Sequence, residues 1–145
     1  MYLVDTNVIS VGAPSRLAPD GLVSWMDAHS AVLFLSAVTV AGIVDGIAKL
    51  RRARATRKSA DLAAWLEAVL HLYGDRILAF DTATARIAGI LSDRARGQGH
   101  APGFNDIIIA ATAQRHGLTI LSRNVRHFAP LNVPVLDPLA ALPPA

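Results

Sequence analysis

Residues 105–124 read NDIIIAATAQRHGLTILSRN, and this stretch decides the fold. An acid followed by a continuous apolar run predicts a buried helix over about 105–116, which Gly117 ends. Residues 118–121 then predict a buried strand, and the polar residues 122–124 follow that strand directly. The stretch therefore predicts a helix–strand unit whose strand ends in polar side chains.

The same alternation of strands and helices extends over the rest of the chain. Short apolar runs predict the other strands, at 2–4, 32–36, 77–80 and 133–136. Between these strands, helical periodicity predicts helices at about 21–29, 37–50, 60–73 and 82–97. Asp20, Ser59 and Asp81 are predicted to cap three of them. This alternation predicts an α/β fold with a mostly parallel sheet of four or five strands and helices on both faces. One domain is expected over 1–137, followed by a loose tail over 138–145.

The composition excludes several classes of protein. The chain has 145 residues, of which 52% are hydrophobic and 17% charged, so a disordered tail is excluded. It has no cysteine, which excludes a disulfide framework and thiolate metal sites. Apolar runs are shorter than the roughly 20 residues of a membrane span, and no export signal is visible, so a cytoplasmic protein is expected.

Two aspartates are the candidate catalytic residues. Asp5 follows the first strand, and Asp106 lies in the first turn of the apolar helix. Each taken alone is equally a helix cap or a favourable charge for the helix dipole. Together they lie at the carboxyl edge of the predicted sheet, where two carboxylates and water suit Mg²⁺ or Mn²⁺.

Other kinds of catalytic site are absent from the sequence. It has no GxxxxGK[ST] phosphate loop, no HExxH metal motif and no GxSxG nucleophile elbow. Metal-assisted phosphodiester chemistry is the reaction class that remains. Asn7, Ser36 and Asn124 are predicted to orient the ligands or water.

Basic residues offer two kinds of phosphate contact. The run 51–58 contains four arginines and one lysine, and it is either a phosphate-tracking segment or a solvated link between helices. Residues nearer the predicted site are better candidates, namely Arg94, Arg96, Arg123 and Arg126. His127 could contact a phosphate or a metal, or pack beside Phe128.

Four segments resemble one known family. The stretches VDTNVIS at 4–10, LSAVTV at 35–40, NDIIIAATA at 105–113 and HGLTILSRNVRHF at 116–128 resemble, in order and spacing, PIN-domain ribonucleases. The likeness is above all to the VapC and FitB toxins of bacterial toxin–antitoxin pairs. The resemblance implies an α/β/α sandwich that binds Mg²⁺ or Mn²⁺ through Asp5 and Asp106 and cuts RNA. It also implies a homodimer that a small antitoxin inhibits.

Two positions depart from the family pattern. The family has a glutamate on the helix after its second strand, where this chain has Gly42. Its more variable fourth acid falls near the end of strand four, where this chain has Asn124 and His127. Gly42 also interrupts a helix, at a cost of about 1 kcal/mol relative to alanine.

Four explanations of Gly42 are open. It is a change that disarms a toxic nuclease, or a feature of a binding-only relative, or a sign that the site works with fewer acids. In the fourth, Asp45, three residues further on, partly substitutes for the glutamate. The sequence therefore predicts a metal-dependent ribonuclease toxin with a weakened or inactive site. The alternative is a non-catalytic PIN-like module that binds an antitoxin or RNA, and a receiver-like signalling domain is a weaker third possibility.

Overall fold

The computed structural model describes residues 1–14, 17, 19 and 21–145, which contain five strands and seven α-helices. The strands are β1 (Tyr2–Val4), β2 (Leu33–Ser36), β3 (Ile77–Leu78), β4 (Thr119–Leu121) and β5 (Val135–Leu136). The helices are α1 (Thr6–Ile9), α2 (Leu22–Ala28), α3 (Ala37–Arg52), α4 (Thr56–Tyr73), α5 (Thr82–Gly97), α6 (Phe104–His116) and α7 (Val125–Phe128).

The five strands form one parallel sheet in the order β3-β2-β1-β4-β5. Leu3 in the central strand pairs with Phe34 on one side and with Ile120 on the other. The three central strands are largely buried, and crossovers join the strands, as parallel sheets require. The predicted α/β class with a mostly parallel sheet of four or five strands is confirmed.

Side chains of the strands alternate between two cores. Tyr2 and Val4 face one layer, in which α1, α2, α3 and α4 supply the apolar side chains. Leu3 faces the other layer, where α5, α6 and the Phe128 ring pack. This period of two is the geometry of an extended strand. It produces three layers, with helices covering both faces of the sheet.

Several local predictions were wrong. Ser59 does not cap α4, which begins at Thr56, and its hydroxyl donates to the Thr56 carbonyl oxygen at 2.8 Å. The run 51–58 is therefore divided between the end of α3 and the start of α4. The helical spacing of Val40, Ile43, Val44 and Ile47 predicts that all four are buried. Val44 is exposed, because it lies beside the buried stripe of α3 and outside it. Strand β3 ends at Leu78, so Phe80 lies beyond it.

Predicted helix ends agree with the structure where a residue at the end of the helix supplies the cap itself. The Asp81 carboxylate accepts the Thr84 amide hydrogen at 2.9 Å and caps α5, as predicted. Gly117 ends α6 in the left-handed conformation, with φ of 64°. The predicted cap Asp20 lies outside the described residues, and α2 begins after Gly21.

The end of the chain contacts its beginning. The Tyr2 hydroxyl donates to the Pro144 carbonyl oxygen at 2.7 Å, and Leu139 packs against the first core. The boundary near residue 137 and the looseness of the tail remain predictions. In the described part of the chain, no helix combines the length and apolar character that crossing a membrane requires.

Candidate active site

Asp5 lies at the junction of β1 and α1. Its carboxylate is buried, and both oxygens accept hydrogen bonds. Oδ1 accepts the Thr6 amide at 2.7 Å, and Oδ2 accepts the Ser122 hydroxyl at 2.7 Å. The carboxylate is therefore held in one orientation from two strand ends that are far apart in sequence.

Ser122 is the centre of a network that the sequence analysis did not assign. Its Oγ receives the Asn124 amide hydrogen at 3.0 Å and lies 3.3 Å from the donating Asn7 Nδ2. The Asn7 side-chain oxygen accepts the Arg123 amide hydrogen at 3.2 Å. The position of Ser122 in the sequence could have identified it, because a polar residue directly after β4 must lie beside the end of β1.

The electrostatic environment of Asp5 disfavours its charge. Burial raises the pKa of Asp5 above its ordinary value of 3.8, although the hydrogen bonds from Ser122 and Thr6 act in the opposite direction. The negative charge of Asp106 raises that pKa further, whereas His127 lowers it. Two carboxylates thus repel each other across this site, an arrangement that a bound cation relieves.

Asp106 faces the same cavity as Asp5. It lies in the first turn of α6, and its Oδ2 is 3.3 Å from Nδ1 of His127. The cavity has a volume of about 370 Å³ at the carboxyl edge of the sheet. Its lining consists of Asp5, Thr6, Asn7, Ser10, Val38, Asn105, Asp106, Ile109, Arg123 and Asn124. Four of the five residues predicted as catalytic therefore line one cavity.

Among the predicted residues, Ser36, Arg126 and His127 do not line that cavity. Ser36 is buried, and its Oγ caps α3 by accepting the Val38 amide hydrogen at 3.2 Å, while Val38 itself lines the cavity. Arg126 and His127 line an adjoining cavity. Arg123 and Asn124 line both cavities, so the candidate phosphate contacts are continuous with the site.

Gly42 lies on α3 beside the site. Among the described residues, a Cβ built on Gly42 would have a single neighbour within 4 Å, the Thr6 Oγ1 at 3.9 Å, apart from the backbone of its own helix. Gly42 lines a separate cavity that shares Thr6 and Ser10 with the site cavity. A side chain at position 42 would therefore start beside Thr6, which borders both cavities.

Asp45 does not occupy that space. Its carboxylate is exposed and lies 3.9 Å from the Lys49 ammonium one turn along α3. Neither cavity beside Gly42 is lined by Asp45. The structure gives no support to a substitution of the missing glutamate by Asp45.

Comparison with known proteins decides the family. The sequence profile of the PIN domain matches residues 2–130. The chain belongs to the PIN-domain family. It is 36% identical to the toxin FitB of Neisseria gonorrhoeae, over 95% of this chain and 98% of that one. It is 33% identical to the VapC ribonuclease Y4jK of Sinorhizobium fredii, over 95% and 97% of the two chains.

Solved structures agree with this PIN-domain assignment. The crystal structure of FitAcB from Neisseria gonorrhoeae superimposes with a TM-score of 0.83 at 35% identity, covering 95% of this chain and 98% of that chain. A structure of FitAB bound to a DNA fragment gives a TM-score of 0.79 at 33% identity, with 96% of each chain covered. The recognition of a PIN domain similar to the VapC and FitB toxins is confirmed.

The donor set of this PIN domain suits a hard cation with few protein ligands. Among the described residues, no group of three or more histidine, aspartate or glutamate side chains is gathered closely enough to hold a metal ion. Asp5 and Asp106 nevertheless face one polar cavity and repel each other. Mg²⁺ is commonly held by one or two carboxylates plus water and substrate phosphates, so the two aspartates fit such an ion.

We predict that Asp5→Asn stabilises the metal-free protein at neutral pH. The folded-state pKa of Asp5 is raised, so the native chain loses stability as pH rises from 3.8 through the raised value. The asparagine variant carries no charge and avoids that loss. Unfolding in denaturant, measured over a pH series, should show an advantage of the variant at pH 7 that disappears below pH 3.8.

Magnesium should reverse the order of stability of the native chain and Asp5→Asn. Ligand at one hundred times its Kd stabilises a protein by about 2.7 kcal/mol, provided that only the folded state binds it. We expect added Mg²⁺ to raise the Tm of the native chain and to leave that of Asp5→Asn almost unchanged. Equal shifts in the two proteins would place the ion elsewhere.

Proposed function

We propose that this chain is a metal-dependent endoribonuclease toxin of a VapBC-type toxin–antitoxin pair, with a weakened active site. The observation that carries the proposal is the pairing of Asp5 and Asp106 across one cavity at the carboxyl edge of the sheet. Similarity to FitB and to a VapC ribonuclease over almost the whole chain supports the toxin assignment.

Each residue of the site has a separate proposed role in RNA hydrolysis. Asp5 and Asp106 would hold Mg²⁺ or Mn²⁺, and such an ion would lower the pKa of a water and neutralise charge on the phosphodiester. Ser122 fixes the Asp5 carboxylate through its hydroxyl, and the amides of Asn7 and Asn124 border the space for water. Arg123 lies at the cavity wall, where its cation can contact a phosphate.

Two positions account for the proposed weakness of the site. Gly42, beside Thr6, brings no carboxylate, and Asn124 brings a neutral amide to the cavity lining. A cation held by two carboxylates gains less electrostatic stabilisation than one held by three or four. Metal affinity, and with it the rate of cleavage, is therefore low.

The proposed partners follow from the relatives. Solved structures of this fold include FitAB and VapBC bound to DNA and a toxin–antitoxin complex from Klebsiella pneumoniae, and we propose a small antitoxin as the partner of this chain. We also propose a homodimer, RNA as substrate and a cytoplasmic location. Sedimentation of the purified chain tests the dimer, and co-purification with the product of a neighbouring short gene tests the antitoxin.

A cleavage assay tests the proposed activity. The chain is incubated with labelled RNA in Mg²⁺, in Mn²⁺ or in chelator, beside a variant that combines Asp5→Asn with Asp106→Asn. We expect slow cleavage that requires the ion and both aspartates. Cleavage that continues in chelator, or in the double variant, would show that another activity is being measured.

The second candidate is a PIN-like module that binds an antitoxin or RNA without cutting. The same two positions, Gly42 and Asn124, favour it because both lack an acid. It predicts antitoxin or RNA binding that is independent of metal, with no cleavage even after a glutamate is restored at position 42. The two candidates therefore differ in the outcome of one substitution.

A further inference from the structure

Two phenylalanine rings that are far apart in sequence meet on the surface of the molecule. Phe80 follows β3, and Phe104 is the first residue of α6. Their ring centroids are 6.4 Å apart with an interplanar angle of 89°, which is an edge-to-face pair. Phe80 is 41% exposed and Phe104 is 67% exposed. Two large aromatic side chains kept together in water point to a ligand.

The pair borders a groove that adjoins the candidate active site. The groove has a volume of about 320 Å³, within the range of small-molecule sites, and Arg96 and Pro102 also line it. Ile107 lines this groove, while the preceding residue, Asp106, lines the active-site cavity. The first turn of α6 is thus the wall between the two spaces, and a strand lying over it reaches both.

The charge around the groove is positive. Helix α5, which forms one side, places Arg96 in the lining of the groove, and no acid is among the described residues that line it. Asp81 beside Phe80 is already engaged, because it caps α5 and lies 3.6 Å from the Arg115 guanidinium. The positive charge of Arg96 therefore attracts an anionic strand to this groove.

We infer that Phe80 and Phe104 form a stacking platform for a base of single-stranded RNA whose neighbouring phosphodiester lies at Asp5 and Asp106. This inference rests on the proposed ribonuclease function. Aromatic faces bind unstacked bases in single-stranded RNA, and adjacent arginines bind the backbone. The platform selects a single strand over a duplex, because paired bases do not offer their faces.

Binding without cleavage tests the platform. A short fluorescein-labelled single-stranded RNA of mixed sequence is titrated with the full chain in chelator, and fluorescence anisotropy is measured. Phe104→Ala should weaken binding by about 5- to 150-fold, the range seen when one stacked base loses its aromatic partner. Phe104→Trp should restore it, since tryptophan offers a larger aromatic face.

Three controls separate stacking from other effects. Leu72→Ala removes a comparably exposed apolar side chain, 53% exposed, from α4 on the opposite face of the sheet, and should bind RNA as the native chain does. An abasic strand of equal length should bind the native chain and Phe104→Ala equally. Arg96→Ala should reduce the dependence of log affinity on log salt by about 0.7, the effect of one lost phosphate contact.

Three results would overturn the inference. Equal RNA affinity of Phe104→Ala and the native chain would show that the ring does not stack on a base. A change of oligomeric state in Phe104→Ala, seen by sedimentation, would assign the surface to a second copy instead. Failure of the native chain to bind RNA at all would remove the platform, while metal binding at Asp5 and Asp106, measured by calorimetry, would still decide the proposed function separately.

Discussion

Replacing Gly42 by glutamate should raise the affinity for Mn²⁺ or Mg²⁺ by about 10- to 100-fold, the scale on which changes around a metal site act. The added carboxylate would supply a third negative charge to a cation held by Asp5 and Asp106. Cleavage of RNA should increase with it, and expression of the variant should arrest growth. Calorimetric titration, an RNA cleavage assay and growth after induction measure the three effects.

The local structure allows this substitution. The Cβ at position 42 meets Thr6 Oγ1 at 3.9 Å, an ordinary contact, so the described residues around it accept a Cβ without a shift. Replacing a glycine inside a helix also removes a cost of about 1 kcal/mol. The variant should therefore be at least as stable as the native chain in the presence of metal. Matched controls are needed to distinguish a gain of activity from the effect of better folding.

Gly46→Glu is the matched control. Gly46 lies one turn further along α3 and lines the same cavity, and a Cβ placed on it has no neighbour within 4 Å, so it accepts the same side chain. It receives the same charge and the same gain in helix propensity, about 6 Å away along the axis. Gly42→Gln provides the same length without the charge.

The disarmed-toxin explanation makes a definite claim about these three variants. Only Gly42→Glu should gain metal affinity and cleavage. Gains of equal size in Gly46→Glu would show that added negative charge or a more stable helix, and not the position of the carboxylate, causes the gain in metal affinity and cleavage. If Gly42→Glu binds metal no better and cuts no RNA, the weakened-toxin proposal fails, and the binding-only module becomes the better description.

Asp106→Asn should lower metal affinity by more than about tenfold. The site has two carboxylates in contact with one cavity, so the substitution removes half of its negative charge. It also removes the charge that raises the pKa of Asp5, so the pKa of Asp5 should move down toward its ordinary value. Calorimetry measures the first effect, and titration of the Asp5 carboxyl by NMR measures the second.

Asp45→Asn is the control for this loss. Asp45 is exposed on α3 and lies 3.9 Å from the Lys49 ammonium, away from the cavity. Its substitution removes the same formal charge from the molecule without touching the site. Unchanged affinity in Asp106→Asn, or an equal decrease in Asp45→Asn, would remove Asp106 from the metal site.

The three central strands were predictable because they are largely buried on both faces. Such strands are continuous apolar runs, and the runs around Leu3, Phe34 and Ile120 stand out from the sequence without any partner. Strand and helix ends were harder to predict. Ser59 has the chemistry of a cap, yet α4 starts one turn earlier, and the Ser59 hydroxyl donates to the Thr56 carbonyl oxygen inside the helix instead.

The candidate site was predictable to the extent that it follows strand ends. Asp5 and Asn7 follow β1 and Asn124 follows β4, so a parallel sheet with these strands adjacent must bring them together. Ser36 follows β2 by the same rule, but its hydroxyl caps α3. The position after a strand therefore predicts that a residue lies at the carboxyl edge of the sheet. The direction of its side chain at that edge depends on local hydrogen bonds.

The α/β class, the buried central strands, the family and the two aspartates that carry the proposed chemistry can all be inferred from the sequence. Periodicity and the spacing of motifs contain that information. The folded structure is needed to show that Ser122 holds Asp5, that Gly42 lies beside Thr6, and that Phe80 and Phe104 meet beside Arg96. Each of these contacts joins residues from different elements, so it depends on strand order and helix packing, which local sequence does not specify.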